Sequence, residues 1–188
     1  MTKKRDEENP TQARFVLAVS VAGESQEFSL GALHLEYVLS ILPDTADYAG
    51  FFGAAAQHQA GAVRRSAAGR EHLPGDAALQ LATDPCSSVR IQAVTNRMFQ
   101  RLASESTVLS LIASDPDVAE AVANTMSMFE NADLAVLCES LSRHPDPSVR
   151  RAVASNGATP TEWLRQLRED GSKDVAEMAM NELTSRSR

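Results

Sequence analysis

One short pattern returns five times between residues 60 and 180, and it restricts the fold more than any other feature of the chain. The copies begin at Ala60, Cys86, Asp115, Asp146 and Ser172, and the fullest reads Asp-Pro-Ser-Val-Arg-Arg-Ala-Val-Ala from Asp146. The fourth residue of each copy is a valine: Val63, Val89, Val118, Val149 and Val175, spaced by 26, 29, 31 and 26 residues. A repeat of this length is typical of stacked helical arrays.

Each copy has the features of a helix with one apolar face. In the copy from Asp146, the residues Val149, Ala152 and Val153 follow the i, i+3, i+4 spacing of a single buried stripe. The preceding Asp-Pro supplies a capping oxygen and a proline with its φ already set for the first turn. A partner helix then begins at Thr159-Pro160. A two-helix unit of this size buries its stripe only against neighbours, so we predict a mainly α fold, a right-handed α-solenoid of about five two-helix repeats.

Composition excludes several classes of function. The chain of 188 residues carries a formal net charge of −7, so it has no global attraction for nucleic acid or anionic membranes. Its cysteines, Cys86 and Cys138, fit neither a disulfide framework nor a metal knuckle, and we therefore predict a cytoplasmic protein without a metal or cofactor. The run 15–22 is too short to span a membrane and lacks a signal-peptide layout.

The organisation along the chain is predicted as four parts. Residues 1–13 are polar and expected to be disordered. Residues 14–57 would form an N-terminal cap with a β-hairpin over 14–29, although a helix from Pro10 is the alternative. Two helices follow, the first over 30–42 with an apolar face of Leu33, Tyr37, Val38 and Ile41. Residues 58–183 would form the repeat array, and 184–188 a flexible tail.

The stretch from His144 to Leu183 resembles the bacterial leucine-rich repeat variant family and, equally, HEAT repeats, whose second helix opens with Asp-Pro-x-Val-Arg. The resemblance covers residues 58–183 and implies a scaffold that binds proteins, with the helices that carry the five valines lining a concave face. Ala119 and Ala176 depart from the family arginine. Some variant-repeat proteins carry a cluster-binding region before the array, but no cysteine precedes Cys86 here, so we predict no iron–sulfur centre.

The resemblance assigns two roles to the charged residues that open these helices. Arginines that follow the valine would pair with turn aspartates in a structural ladder, whose members are Arg64, Arg90, Arg150, Asp84, Asp115 and Asp146. Arginines one position further on point elsewhere around the helix and are candidates for partner contacts. The predicted partner-binding residues of the concave face are Arg65, Arg151, Glu120, Glu177, Arg97 and Arg101.

No catalytic set is evident in the sequence. The four histidines, His34, His58, His72 and His144, have no spacing that places two ligands on one helical face. Trp163 is expected to anchor the core between repeats. We therefore predict a non-enzymatic scaffold or adaptor that recognises a protein partner, with a homodimer through the hairpin as a second interface.

The alternative is a nucleic-acid-binding module similar to the HEAT-like alkylpurine DNA glycosylases, since Arg97 and Arg101 extend the positive stretch beyond Arg90. The net charge and the glutamates at equivalent groove positions count against it, as does the lack of an aromatic-rich groove.

Overall fold

The computed structural model describes residues 14–21 and 24–187. Two strands come first, β1 (Val16–Val21) and β2 (Glu24–Ser29), and the rest of the described chain is mainly helical. The helices are α1 (Ala32–Ile41), α2 (Ala49–Ala55), α3 (Gly61–Ala68), α4 (Gly75–Leu81), α5 (Ser87–Val94), α6 (Arg97–Leu102), α7 (Glu105–Ser114), α8 (Pro116–Thr125), α9 (Leu134–Ser142), α10 (Pro147–Ser155), α11 (Thr161–Leu167) and α12 (Lys173–Arg186). Short 3-10 turns lie at Ala46–Tyr48 and Met126–Met128.

The five repeated valines each lie two residues into a helix, and all five side chains are fully buried. We call the helices that carry them, α3, α5, α8, α10 and α12, the valine helices. Two of them begin as the Asp-Pro pattern predicts: the Asp115 carboxylate accepts from the Asp117 amide at 3.0 Å, and that of Asp146 from the Ser148 amide at 2.8 Å. Proline occupies the first turn of both. The amide left free at a helix start is therefore satisfied by a local side chain.

The valine helices contact one another in chain order. α1 packs on α3, α3 on α5, α5 on α8, α8 on α10, and α10 on α12. The intervening helices make a second series of contacts, α4 with α6, α7 with α9, and α9 with α11. One cluster of buried residues runs from Phe15 to Ala179 between them. The core is thus continuous along the chain, because each apolar stripe is covered by the helices before and after it.

The second repeat departs from a simple pair of helices. Two short helices, α6 and α7, stand between α5 and α8. Asn96 begins the first of them by accepting from the Met98 amide at 2.8 Å, and Ser104 begins the second by accepting from the Thr107 amide at 3.3 Å. These caps separate α6 from α7, so the chain between α5 and α8 forms two helices and not one.

The N-terminal hairpin predicted from the sequence is confirmed. β1 and β2 pair antiparallel, with Leu17 opposite Phe28 and Val19 opposite Gln26. These residues share one face of the hairpin because side chains alternate along a strand. Leu17 is 52% exposed, Val19 43% and Phe28 51%, so the apolar face of the hairpin lies open. The predicted disordered segment 1–13 lies outside the described residues.

The predicted apolar face of α1 is wrong. Leu35 and Leu39 are the buried residues of this helix, whereas Leu33, Tyr37 and Ile41 are 82%, 67% and 60% exposed. The helix has apolar residues on two sides, and its packing on α3 decides which side is covered. The helical spacing of Tyr48, Phe51, Phe52 and Ala55 predicts the apolar face of α2, where Phe52 and Ala55 are fully buried and Tyr48 and Phe51 half-buried.

The predicted flexible tail begins inside a helix. Residues 184–186 continue α12, and Arg186 fixes this end by donating to the carbonyl oxygens of Thr159 at 2.7 Å and Gly157 at 2.9 Å. The same guanidinium pairs with Glu182 one turn earlier. The polar residues at this end therefore belong to the last turn of α12, which contacts the segment before α11.

Candidate functional site

Three arginines make the same set of contacts at the start of three valine helices. The Nε and Nη2 atoms of Arg64 donate to the two carboxylate oxygens of Asp84 at 2.6 and 2.9 Å, and its Nη1 donates to the carbonyls of His58 and Gln59, each at 2.8 Å. Arg150 repeats this geometry. It reaches Asp170 at 2.7 and 2.9 Å, and the carbonyls of His144 and Pro145 at 2.8 and 3.0 Å.

Arg90 makes the third set, with one difference. Its Nη1 donates to the carbonyls of Asp84 and Pro85 at 2.7 and 3.1 Å, and its Nε and Nη2 both donate to the same oxygen of Asp115. In every case the guanidinium contacts two carbonyls of the turn before its own helix and a carboxylate of the next turn. The arginine thereby connects three successive segments of the chain, a task suited to its rigid fork of donors.

Two aspartates of these pairs also accept from the backbone amide at the N-cap position of the next helix. Asp84 accepts from the Cys86 amide and Asp170 from the Ser172 amide, both at 2.8 Å. Burial by itself raises the pKa of Asp84, but the hydrogen bonds from Arg64 and the Cys86 amide outweigh it, so the net pKa is lowered. The hydrogen bond from Arg150 is the main cause that lowers the pKa of Asp170. Both carboxylates are therefore held in the ionised form.

The placement of Asp146 in the ladder is wrong, and Asp170 takes its place. Asp146 caps α10, and the hydrogen bond from the Ser148 amide is the first cause of its lowered pKa. The arginine of its own repeat, Arg150, extends instead to the following turn. The sequence carried a signal for this choice, because Asp170 precedes Val175 by the same interval as Asp84 precedes Val89.

A second set of links, which the sequence analysis missed, lies at the other ends of the valine helices. The Asn96 side chain donates to the carbonyls of Ala68 and Arg70 at 2.8 Å, and that of Asn156 donates to the carbonyl of Ala123 at 2.8 Å. Arg70 donates to the Leu42 carbonyl. All three donors stand seven residues after a repeat valine, so the spacing was available as a signal. These links bind each helix end to the preceding repeat.

α8 supplies neither type of donor. Ala119 stands where the ladder arginine would be, and Thr125, seven residues after Val118, donates to the Ala121 carbonyl of its own helix. α8 is still held from both sides, since Arg90 reaches Asp115 and Asn156 reaches Ala123. α12, the last valine helix, also lacks both donors, because it carries Ala176 at the ladder position and Glu182 seven residues after Val175.

The predicted partner-binding residues fall into two groups. Arg65, Glu120, Arg151 and Glu177 all stand two residues after a repeat valine, on α3, α8, α10 and α12. Arg65 and Arg151 are exposed and, within the described residues, form no ion pair. Glu177 faces Lys173 at 3.5 Å. The equivalent residue of α5 is the half-buried Ile91, so we define the outer row as Arg65, Ile91, Glu120, Arg151 and Glu177.

Arg97 and Arg101 do not belong to the outer row. They lie on α6, which packs mainly on α4 and is not one of the valine helices. Each lies opposite a glutamate, Arg97 near Glu71 and Arg101 near Glu130, with 3.7 Å between nitrogen and oxygen in both pairs. Both arginines follow Arg90 closely in sequence, which is why they were predicted to share its face, but the turn at Asn96 carries the chain away from α5.

The remaining reactive side chains are dispersed. Cys86 is half-buried at the start of α5, and the hydrogen bond with Ser88 is the main cause of its lowered pKa. Burial raises the pKa of Cys138 to about 11. Within 14–21 and 24–187, no three His, Cys, Asp or Glu side chains are grouped to hold a metal ion. Among the same residues, no helix has the length and apolarity needed to cross a membrane.

The chain matches no family model, and comparisons with curated proteins and with solved structures give no significant similarity.

Proposed function

We propose that the helices form a right-handed α-solenoid of the HEAT-like or leucine-rich repeat variant type. The order of contacts supports it, because each valine helix touches the next one along the chain and the intervening helices make a parallel series. The repeated arginine links support it too, since a constant geometry between successive turns produces a regular displacement from each repeat to the next.

The function that this array of helices supports best is non-enzymatic binding of a protein partner along the outer row, in the bacterial cytoplasm. The observation that carries the proposal is the contrast between adjacent arginines. Arg64 and Arg150 form ion pairs with Asp84 and Asp170. The next residues, Arg65 and Arg151, are exposed and form no ion pair in the described chain. Because the backbone that carries these exposed charges is already ordered, less conformational entropy is lost when a partner binds.

The outer row suggests the chemistry of the partner. Its charges run positive, apolar, negative, positive, negative from Arg65 to Glu177. A complementary segment would carry charges of both signs around an apolar residue that meets Ile91. Exposed charges of both signs in an interface determine how the partner is aligned and which partners are accepted more than they determine the affinity.

Charge reversal tests the proposal. We expect the double variant Arg65→Glu, Arg151→Glu to lose partner capture in a tagged pull-down from native cells, with an unchanged Tm. The matched control is Arg143→Glu, Arg165→Glu, which makes the same charge change at exposed positions at the end of α9 and on α11. Equal capture by both variants, or a parallel fall in Tm, would count against binding on the outer row.

Nucleic-acid binding is the competing function, and the structure gives it little support. Arg97 and Arg101 face glutamates, and no member of the outer row is aromatic. Duplex DNA at low salt provides the test, because affinity that falls steeply with salt is the signature of phosphate contacts. Binding that Arg97→Ala with Arg101→Ala removes would favour this alternative over a protein partner.

We also propose that a second copy of the chain pairs with β1. A lone two-stranded hairpin is marginally stable in water, and the apolar face of this one is open. β1 (VLAVSV) carries no charge, whereas β2 (ESQEFS) carries two glutamates that would repel their copies across a dimer axis. Uncharged edges favour strand addition, so the β1 edge suits antiparallel pairing with itself.

Light scattering coupled to size-exclusion chromatography tests this dimer. We expect Val19→Lys to give monomers, because a lysine on an edge strand opposes pairing. Gln26→Lys is the matched control, since Gln26 lies directly opposite Val19 on the same face and strand β2 stays outside the new pair. A monomeric wild-type chain at high concentration, or dissociation by both lysines, would overturn the proposal.

A further inference from the structure

An open cleft lies between two segments of the chain, residues 113–116 at the junction of α7 and α8 and residues 144–146 in the turn before α10. A similar cleft lies between residues 56–59 and 80–85, and there the Arg64 side chain lines it. We call the first of these the turn cleft. The two are equivalent in the repeat, but the helix behind the turn cleft carries Ala119 in place of an arginine.

The acceptors that a ladder arginine uses are present in the turn cleft. Arg64, Arg90 and Arg150 each donate to the carbonyls five and six residues before them, which for position 119 are those of Ser114 and Ala113. Within the described residues, neither of these carbonyls receives a hydrogen bond. Asp146 stands three residues before Val149, as the ladder aspartate Asp115 stands three residues before Val118, and it forms no ion pair in the described chain.

The charges around the cleft leave Asp146 as its anionic group. Asp115 is already paired with Arg90, and the carbonyls of His144 and Pro145 accept from Arg150. Ala119 is fully buried, so α8 gives no access to the cleft from solvent. A ladder arginine would reach the cleft from α8, whereas a group from another molecule would enter from the exposed side of the turns. Two carbonyl oxygens and one carboxylate match the planar fork of a guanidinium better than the point charge of an ammonium.

We propose that the turn cleft binds the guanidinium of an arginine supplied by the protein partner. The inference rests on the proposed function, because it names one side chain by which that partner is recognised. The incoming group donates to the carbonyls of Ala113 and Ser114 and to the carboxylate of Asp146. The partner's guanidinium would thus occupy the place of the ladder arginine that α8 lacks.

A titration of the full chain with N-acetyl-arginine-amide, followed by amide chemical shifts in NMR, tests the proposal without a known partner. We expect saturable shifts at residues 113–116 and 144–146. N-acetyl-citrulline-amide, which keeps the shape but lacks the charge, should bind about tenfold or more weakly, because hydrogen bonds to charged groups are the stronger ones. N-acetyl-lysine-amide should also bind more weakly than the arginine compound.

Two variants locate the site. Asp146→Asn should weaken binding of the arginine compound by about tenfold or more. Asp133→Asn is its matched control, since Asp133 caps α9 through the Ala135 amide at 2.8 Å just as Asp146 caps α10, and it should leave the affinity unchanged. Ala119→Arg, checked for folding by circular dichroism, should abolish binding by supplying the missing guanidinium from within the chain.

The outcomes separate this inference from the proposed function. Equal shifts with citrulline, shifts confined to other residues, or equal affinities for the Asp146 and Asp133 variants would overturn the arginine site. In that case, partner capture that depends on Arg65 and Arg151 would still support the proposed binding on the outer row. If capture proves independent of those two arginines while the titration succeeds, the cleft is an arginine site and the outer row is not the docking surface.

Discussion

At the scale of single residues, two neighbouring arginines of one helix have different surroundings. Arg150 is largely buried and donates four hydrogen bonds to the turns on either side, two to the carboxylate oxygens of Asp170 and two to the carbonyls of His144 and Pro145. Arg151 is exposed. One step along a helix turns a side chain by about 100°, which is enough to move it from a groove between repeats to the open surface.

We expect Arg150→Ala to lower the free energy of unfolding by roughly 2 kcal/mol, because it leaves a partly buried carboxylate and two turn carbonyls without their donor. Arg151→Ala should change it by less than about 0.5 kcal/mol, as for exposed surface positions. Urea denaturation of both variants measures the difference. Similar losses would show that the ladder adds no stability beyond that of an ordinary surface charge.

The ladder also predicts a pH dependence. The pKa of Asp170 is lowered below its ordinary value of 3.8, mainly by the hydrogen bond from Arg150. A depressed folded-state pKa means that the stabilisation is complete above the unfolded-state pKa and is lost as the pH falls through the folded-state pKa. Stability should therefore decline below a pH of about 4, and Asp170→Asn should decline less steeply from a lower starting value. Thermal unfolding from pH 2 to 7 measures this, and parallel curves for the two proteins would contradict it.

At the scale of elements, α1 shows how packing selects among faces. The helix carries Leu33, Tyr37 and Ile41 at intervals of four, and Leu35 and Leu39 at the same interval on another side. Periodicity treats both sets alike. The neighbouring α3 covers the second set, so the first set remains exposed at the end of the series of valine helices.

Two leucine substitutions test this orientation. Leu35→Ala should cost about 2–5 kcal/mol of stability, because the side chain is fully buried and its removal leaves a cavity. Leu33→Ala, in the same helix and with the same change of side chain, should cost less than about 0.5 kcal/mol. Chemical denaturation gives both values. A reversed order would mean that the other face of α1 is the packed one.

At the scale of the whole molecule, the links between repeats run in two directions. Three ladder arginines each connect one turn to the following one, and the Arg70, Asn96 and Asn156 side chains connect three helix ends to the preceding helices. In the proposed solenoid, contacts between neighbouring repeats would dominate, and the free energy of unfolding would be approximately a sum of local terms.

The proposed solenoid predicts a gradient in hydrogen exchange. Amides of α8, which packs between α5 and α10, should be more strongly protected than those of α12, which has a valine helix on one side only. Native-state exchange by mass spectrometry or NMR measures this order. Uniform protection across α8 and α12 would indicate one cooperative unit in place of a nearest-neighbour array.

The sequence by itself determined the helical content, the five buried valines and the caps at Asp115 and Asp146. The hairpin also followed from the sequence. These depend on side chains within a few residues of one another, where periodicity and capping chemistry act directly. The resemblance to HEAT repeats implied that Arg64, Arg90 and Arg150 form ladder pairs, and all three do so.

Only the tertiary structure decided which partners and faces are used. Arg150 had an aspartate on each side, and the displacement between repeats brings it to Asp170 while Asp146 stays on its own helix. The buried side of α1, the departure of α6 from the outer row and the turn cleft behind Ala119 also depend on how helices far apart in sequence are placed. Local spacing cannot determine such contacts, because their geometry is set by the stacking of whole repeats.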